Sequence, residues 1–232
     1  MGAERETDTR VGGPEALTDE LLEAIWRAGL ILLGDRVRTE YGLATPIFID
    51  LRHRLYEDVN LIRSLGRALH RKIWEAAGAA TERPQQVIGI PDTATPLALA
   101  AAMASLETSR PLLYAQLRKR PAAYPGGVSG TSSFMGTWQA GRDITLIDDV
   151  MASGKTKLWA IEELAKEGIP VNRILVVVDR EQGGDQILAT RGVPAYCLYT
   201  IQQVLDYYVA TGKVDAAVAR DALHYLRAKQ FR

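Results

Sequence analysis

The stretch Leu146–Lys157, LIDDVMASGKTK, ends in the Gly-Lys-Thr of a triphosphate-binding loop but begins with two aspartates. A G-x-x-x-x-G-K-[ST] loop needs a glycine five residues before Gly154. That place holds Asp149, and the turn is too short to wrap a β-phosphate. The residues suit a different anion. Asp148 and Asp149 leave the apolar run ITLI (Ile144–Ile147), so their carboxylates can accept hydrogen bonds from adjacent hydroxyls such as those of a ribose. Ala152, Ser153 and Gly154 are small enough for backbone N–H groups to come close to an anion. Thr156 can then open a helix whose N-terminus favours a phosphate. Acids for a sugar and amides for its phosphate describe a phosphoribosyl site. The competing reading is a structural turn in which the acids cap the helix.

ITLI is one of four short apolar runs, the others being VIGI (Val87–Ile90), LLYA (Leu112–Ala115) and ILVVV (Ile174–Val178). Three of them run into a turn and a helix-like segment. Continuous apolar runs of this length, separated by helices, predict a parallel sheet covered on both faces. AYCLYT adds a fifth strand near 195–199. Ahead of the sheet, LTDELLEAIWRAGLILL predicts a helix with Thr18 as N-cap and an inward face at 21, 22, 25, 29 and 32. TPIFIDLR (Thr45–Arg52) alternates like a strand or hairpin arm, and a helix over Val59–Ala77 ends at Gly78. Two helices close the chain, over 201–210 and 214–229. The expected class is α/β, a parallel sheet flanked by helices. A loose tail over 1–16 precedes a single domain over 17–232, whose N-terminal appendage spans mainly 17–55.

The 232 residues suffice for one large domain or two small ones. Apolar residues make up 47% and charged residues 24%, as in soluble globular proteins. Lys plus Arg and Asp plus Glu both number 28, so affinity for an anion must come from a local site rather than bulk charge. Cys197 is the sole cysteine, which excludes an internal disulfide and a Cys-based metal cluster and fits a cytoplasmic setting. Pro96–Ala104, the most apolar stretch, is too short to span a bilayer. The segment Arg118–Ala140 is rich in Gly, Pro and Ser, and a loop of that length inside a compact domain is usually functional or disordered. Its opening Arg-Lys-Arg suits an anion-handling lid.

LIDDVMASGKT resembles the phosphoribosyl-pyrophosphate motif of the type I phosphoribosyltransferases, and within them the chain most resembles the orotate phosphoribosyltransferases. TPIFIDLR, GIPDTATPLA, RKR, LIDDVMASG and VVVDREQGG follow that family's order and approximate spacing over roughly 42–184. The last is the most specific. The resemblance implies a phosphoribosyltransferase-like sheet with a small N-terminal hood. It also implies substitution at ribose C1, with pyrophosphate leaving phosphoribosyl pyrophosphate as a base nitrogen bonds. Carried over, Asp148, Asp149, Val150, Met151, Ala152, Ser153, Gly154, Lys155 and Thr156 hold the ribose 5-phosphate. Asp148, Asp149, Arg118 and Lys119 serve catalysis. Phe48, Ala152 and Arg180 meet the base, with Ile47 beside Phe48. Mg²⁺ binds mainly through the substrate's oxygens, without a protein metal site. The long loop closes across a homodimer.

The chain departs from the family at several of these places. Where the family loop has a lysine, an aspartate, an aromatic or histidine, and a glycine, this chain has Ala122, Ala123, Tyr124 and Pro125. Glu40 and Tyr41 replace a lysine region near the base, Ala152 replaces a threonine, and Lys155 adds a cation to the phosphate turn. Three accounts stay open: an orotate enzyme with a rearranged lid, a phosphoribosyltransferase for another base, and a non-catalytic binder of phosphoribosyl pyrophosphate.

Overall fold

A computed structural model describes residues 14–34, 45–78, 81–119 and 133–231. Helix α1 (Pro14–Arg27) leads into a two-stranded antiparallel hairpin of β1 (Ile31–Leu33) and β2 (Ile47–Ile49), with Leu32 opposite Phe48. A 3₁₀ turn at Arg54–Glu57 precedes α2 (Val59–Ala77), which Asp58 caps by accepting from the amides of Asn60 and Leu61. The main sheet contains β3 (Gln85–Gly89), β4 (Leu112–Leu117), β5 (Phe134–Met135), β6 (Asp143–Met151), β7 (Arg173–Asp179) and β8 (Ala195–Thr200). Between and after these strands come α3 (Ala94–Ala104), α4 (Lys155–Lys166), α5 (Gly184–Ala189), α6 (Ile201–Ala210) and α7 (Ala216–Arg227).

The spatial order is β5-β4-β3-β6-β7-β8, parallel throughout except for the antiparallel edge strand β5. Strand pleating divides the apolar runs between two cores. Val87, Ile147, Leu175 and Val177 face the layer built with α1, α2, α3, α6 and α7. Ile88, Ile144, Leu146, Ile174 and Val176 face α4 and α5, where Ala160, Leu164 and Leu188 meet them. Burial on both faces explains why these strands are continuous apolar runs rather than alternating ones. From β3 the chain moves one way to β4, and from β6 the other way to β7 and β8. The topological switch therefore lies between β3 and β6, and the crevice beyond their C-terminal ends is the place where such sheets take ligands.

At the opposite end of the strands, Arg173 ties three of them together. Its guanidinium bonds Asp143 Oδ2 on β6 at 3.0 Å and Gln85 Oε1 on β3 at 2.7 Å, and all three residues are buried.

Four sequence expectations shift. The first helix begins at Pro14, so Thr18 lies inside it rather than capping it; proline is favoured in the first helical turn. It also stops at Arg27, because Gly29 adopts φ +63° and the following apolar residues extend into β1. Within the segment expected to be a loop, Phe134 and Met135 pair with Leu117 and Gln116 and extend the sheet. The last helix starts at Ala216 with Asp215 as its cap, two residues later than the periodicity suggests. The expected loose tail falls almost wholly on residues 1–13, outside the described residues.

Replacing Arg173 by Met leaves the buried Asp143 carboxylate with only the exposed Arg83 as a partner and should destabilise the fold by about 3 kcal/mol. A urea midpoint unchanged from the native chain would contradict this role.

Candidate functional site

Strand β6 does not end at its apolar run. It carries both acids and continues to Met151, in register with β7 through Asp148↔Val176, Val150↔Val178 and Met151↔Asp179. Asp148 is held on both carboxylate oxygens. Oδ1 accepts from the Asp149 amide at 2.9 Å, and Oδ2 lies 2.6 Å from Lys157 Nζ. The two side chains are 7% and 6% exposed, and the lysine also donates to the Val150 carbonyl. An unpaired ammonium at that depth would be prohibitive, so the ion pair is a condition of α4 packing there.

Asp149 differs. Its Oδ1 accepts from the Val150 amide at 2.7 Å, and the residue is half-buried. Burial raises its pKa, the adjacent Asp148 carboxylate raises it further, and Lys157 opposes both, so that the group is pushed up to about 7.

The turn beyond is set by backbone geometry. Gly154 has φ +74°, and a Cβ there would stand 3.2 Å from the Gly184 carbonyl at the start of α5. Ala152 and Ser153 are half-buried, whereas Lys155 and Thr156 open α4 on the exposed side. Helix N-terminal amides favour an anion; here the Lys155 amide is directed at Ser153 Oγ at 3.5 Å. Lys155, conspicuous in the sequence, stays at the surface; the cation inside the site is Lys157.

Across the switch point, β3 runs into the turn before α3. A cavity of about 360 Å³ lies there, lined by Tyr56, Asp92, Thr95, Gln116, Arg118 and Lys119 among others. Lys119 Nζ bonds Asp92 Oδ2 at 2.8 Å, and the Tyr56 hydroxyl donates to the Asp92 carbonyl at 3.4 Å. Thr95 Oγ1 is buried and finds no partner among the described residues. The Tyr56 phenol is pushed up by burial, with the carboxylates of Asp92 and then Asp149 adding to it.

Arg180 follows β7. Its amide donates to the Met151 carbonyl at 2.9 Å, tying it to the end of β6. The side chain is half-buried, its Nε is buried without a partner among the described residues, and burial lowers the guanidinium pKa while Tyr225 opposes the shift. The next residues are strapped down by the C-terminal end. Buried Gln182 donates to the carbonyls of Leu226 and Lys229, and the Phe231 amide returns a bond to the Gln182 carbonyl at 2.8 Å. Ile47 is buried in the core beneath the hairpin, while Phe48, alternating with it, is half-buried.

The structure thus gathers the acids, the small-residue turn and Arg180 around the end of β6, and Arg118 and Lys119 around the start of α3. Glu40, Tyr41 and the altered positions Ala122, Ala123, Tyr124 and Pro125 lie outside the described residues. Sequence reasoning missed Lys157, Asp92, Thr95 and Tyr56. Lys157 left a trace, since it shares a helical face with Ala160 and Leu164, the residues α4 buries. Among the described residues no three metal-type side chains cluster, and no helix is long and apolar enough to cross a membrane.

No protein-family model matches the chain. It is 30% identical over 188 residues to an orotate phosphoribosyltransferase of Thermoplasma acidophilum, a match covering 81% of this chain and 97% of the relative. The chain belongs to the orotate phosphoribosyltransferase family. It is also 30% identical to the uridine 5'-monophosphate synthase of Caenorhabditis elegans over 86% of its own length, and spans 37% of that longer protein. The solved Leishmania donovani UMP synthase superposes with a TM-score of 0.68 at 26% identity, covering 90% of this chain and 42% of that one. The fold is accordingly the α/β sheet of the type I phosphoribosyltransferases. Against that family background, the buried ion pair of Lys157 and the half-buried Asp149 specify how this member holds its two acids.

A carbon-13 NMR titration should find the Asp149 carboxyl carbon with a midpoint near 7. A midpoint near the ordinary carboxylate value of about 4 would contradict the burial and charge repulsion described.

Proposed function

We propose that the chain transfers the 5-phosphoribosyl group from phosphoribosyl pyrophosphate to orotate, releasing pyrophosphate and orotidine 5'-phosphate. The observation that carries this reading is the juxtaposition at the switch point. A half-buried carboxylate and a small-residue turn end β6, and a cation-bearing cavity opens beside them at the start of α3.

In this reaction the bond from C1 to the pyrophosphate oxygen breaks and a bond from C1 to the base nitrogen forms. Positive charge develops on the ribose and negative charge on the leaving group, so preorganised charges contribute most. The turn Ala152–Thr156 receives the 5-phosphate on its amides. Of the β6 acids, the half-buried Asp149 serves the ribose end, since Asp148 is already engaged by Lys157. Lys119, Arg118 and the Thr95 hydroxyl line the place for pyrophosphate, and the anion would compete with Asp92 for Lys119. Arg180, whose buried Nε has no partner among the described residues, suits the carboxylate or carbonyl of the base; Phe48 and Ala152 complete that side. Mg²⁺ would be held mainly by the substrate's own oxygens and would supply positive charge to the leaving pyrophosphate. The single thiol, Cys197, suits a cytoplasmic enzyme of this kind.

The same reading includes a homodimer. Helix α3 is apolar on every side, yet only its inner face is covered by α2 and the sheet. Leu99, Met103 and the following Leu106 are 43%, 61% and 83% exposed. A row of this kind is an unpaired interface in a monomer. Replacing Met103 and Leu106 by Glu should convert a sedimenting dimer to monomer; a native chain that sediments as a monomer contradicts the proposal.

The activity is tested by mixing the chain with phosphoribosyl pyrophosphate, Mg²⁺ and orotate, and following orotate's ultraviolet absorbance. Orotate should be consumed in proportion to the chain, and Lys119→Ala should lower turnover on the order of a hundredfold. Pyrophosphate release with another base and none with orotate would reassign the acceptor. Binding without turnover for any base would remove the enzyme reading.

A further inference from the structure

We infer that the adjacent acids of β6 have separate work: Asp149 alone accepts the ribose hydroxyls, while Asp148 and Lys157 form a buried support that fixes the strand end and its turn. This rests on reading residues 148–156 as the ribose 5-phosphate site.

Successive residues of a strand point to opposite faces. Asp148, paired in register with Val176, shares the face of Ile144 and Leu146, which α4 covers. Lys157 reaches it from that helix. Asp149 is half-buried and lies close enough to Tyr56, which lines the cavity, to raise the pKa of its phenol. One acid is therefore enclosed beneath α4, and the other stays accessible at the strand end.

The remaining bonding capacity agrees. Both Asp148 oxygens already have donors, one from the Asp149 amide and one from the ammonium, and its side chain is almost wholly out of solvent. Lys157 uses a further proton on the Val150 carbonyl, so one ammonium joins an acid and a carbonyl of β6 to the first turn of α4. The turn Ala152–Gly154 is thereby closed at its base. A ligand hydroxyl meeting Asp148 would have to displace the lysine from a site without water access. Asp149 needs no such displacement.

Lys157 also acts on Asp149 electrostatically. The ionisable groups around this acid are Asp148 beside it, Lys157 from α4, Tyr56 from the 3₁₀ turn before α2, and Asp179 at the end of β7, which faces Lys157. Lys157 is the one cation among them within the described residues, so its removal leaves Asp149 next to an uncompensated carboxylate. Asp149 then takes up a proton more readily, and hydroxyl binding requires a higher pH.

The test is calorimetric titration of ribose 5-phosphate across pH into the native chain, Asp149→Asn, Lys157→Met and the double variant Asp148→Asn/Lys157→Met, with thermal unfolding of each. Asp149→Asn should lose about tenfold or more in affinity. The double variant removes both members of the buried pair together, so it should stay folded and bind within about threefold of native. Lys157→Met, where folded, should shift the pH midpoint of binding upward by about one unit. A support that only braced the fold would lower thermal stability without moving that midpoint. If the double variant loses as much affinity as Asp149→Asn, Asp148 is itself a ribose ligand and the inference falls. It falls equally if Lys157→Met binds with the native pH profile. A native chain that does not bind ribose 5-phosphate at any pH removes the sugar-phosphate reading itself, a result distinct from either of these.

Discussion

The Asp148–Lys157 ion pair solves a conflict built into β6. The strand is covered on both faces, with α4 on one side and α3 on the other, yet its last third carries two carboxylates. Burying an isolated carboxylate is far too costly, and two adjacent ones are worse. One acid is neutralised by an ammonium from the helix that follows the turn, and the other stays half-exposed with its proton affinity raised. Helix α4 can approach only because it brings that lysine, and the turn keeps its shape because strand and helix are joined across it. The arrangement that makes the fold tolerable also makes one acid available.

Topology decides where that acid faces. Because β3 and β6 are neighbours whose connections diverge, their ends leave a crevice with α3 on one flank and α4 on the other. The N-terminal ends of both helices lie at these strand ends, where helix amides favour an anion. The cations lie on two flanks: Lys119 and Arg118 line the α3 side, and the Arg180 backbone is tethered to Met151 at the end of β6. With equal numbers of acidic and basic residues in the chain, anion affinity depends on this local arrangement.

Much of the architecture is legible in the sequence. Continuous apolar runs bounded by helical segments specify doubly covered strands, and β3, β4, β6, β7 and β8 all lie where those runs are. The paired acids followed by small residues mark the site, and the VVVDREQGG stretch marks the family. What the sequence hides depends on contacts distant along the chain or on local override. Ile31–Leu33 continues a helical pattern, but Gly29 breaks it and Phe48, far along the chain, offers Leu32 a strand partner. Phe134 and Met135 carry too short a signal to be a strand until β4 pairs with them. Lys157 looks like one more surface cation beside Lys155, because nothing in the local sequence says that α4 packs that position onto an acid nine residues earlier. Asp92 and Thr95 become site residues only when the fold brings Lys119 and Tyr56 above them.

Everything proposed for this chain turns on the end of β6 being a sugar-phosphate seat with Asp149 facing the ribose. A crystal structure of the chain soaked with ribose 5-phosphate tests this most directly. The expected result is phosphate density against the amides of Ala152–Thr156, ribose hydroxyls on the Asp149 carboxylate, and Lys157 still on Asp148. Density for the phosphate elsewhere, or a ribose bound with the Asp148–Lys157 pair broken, would contradict it.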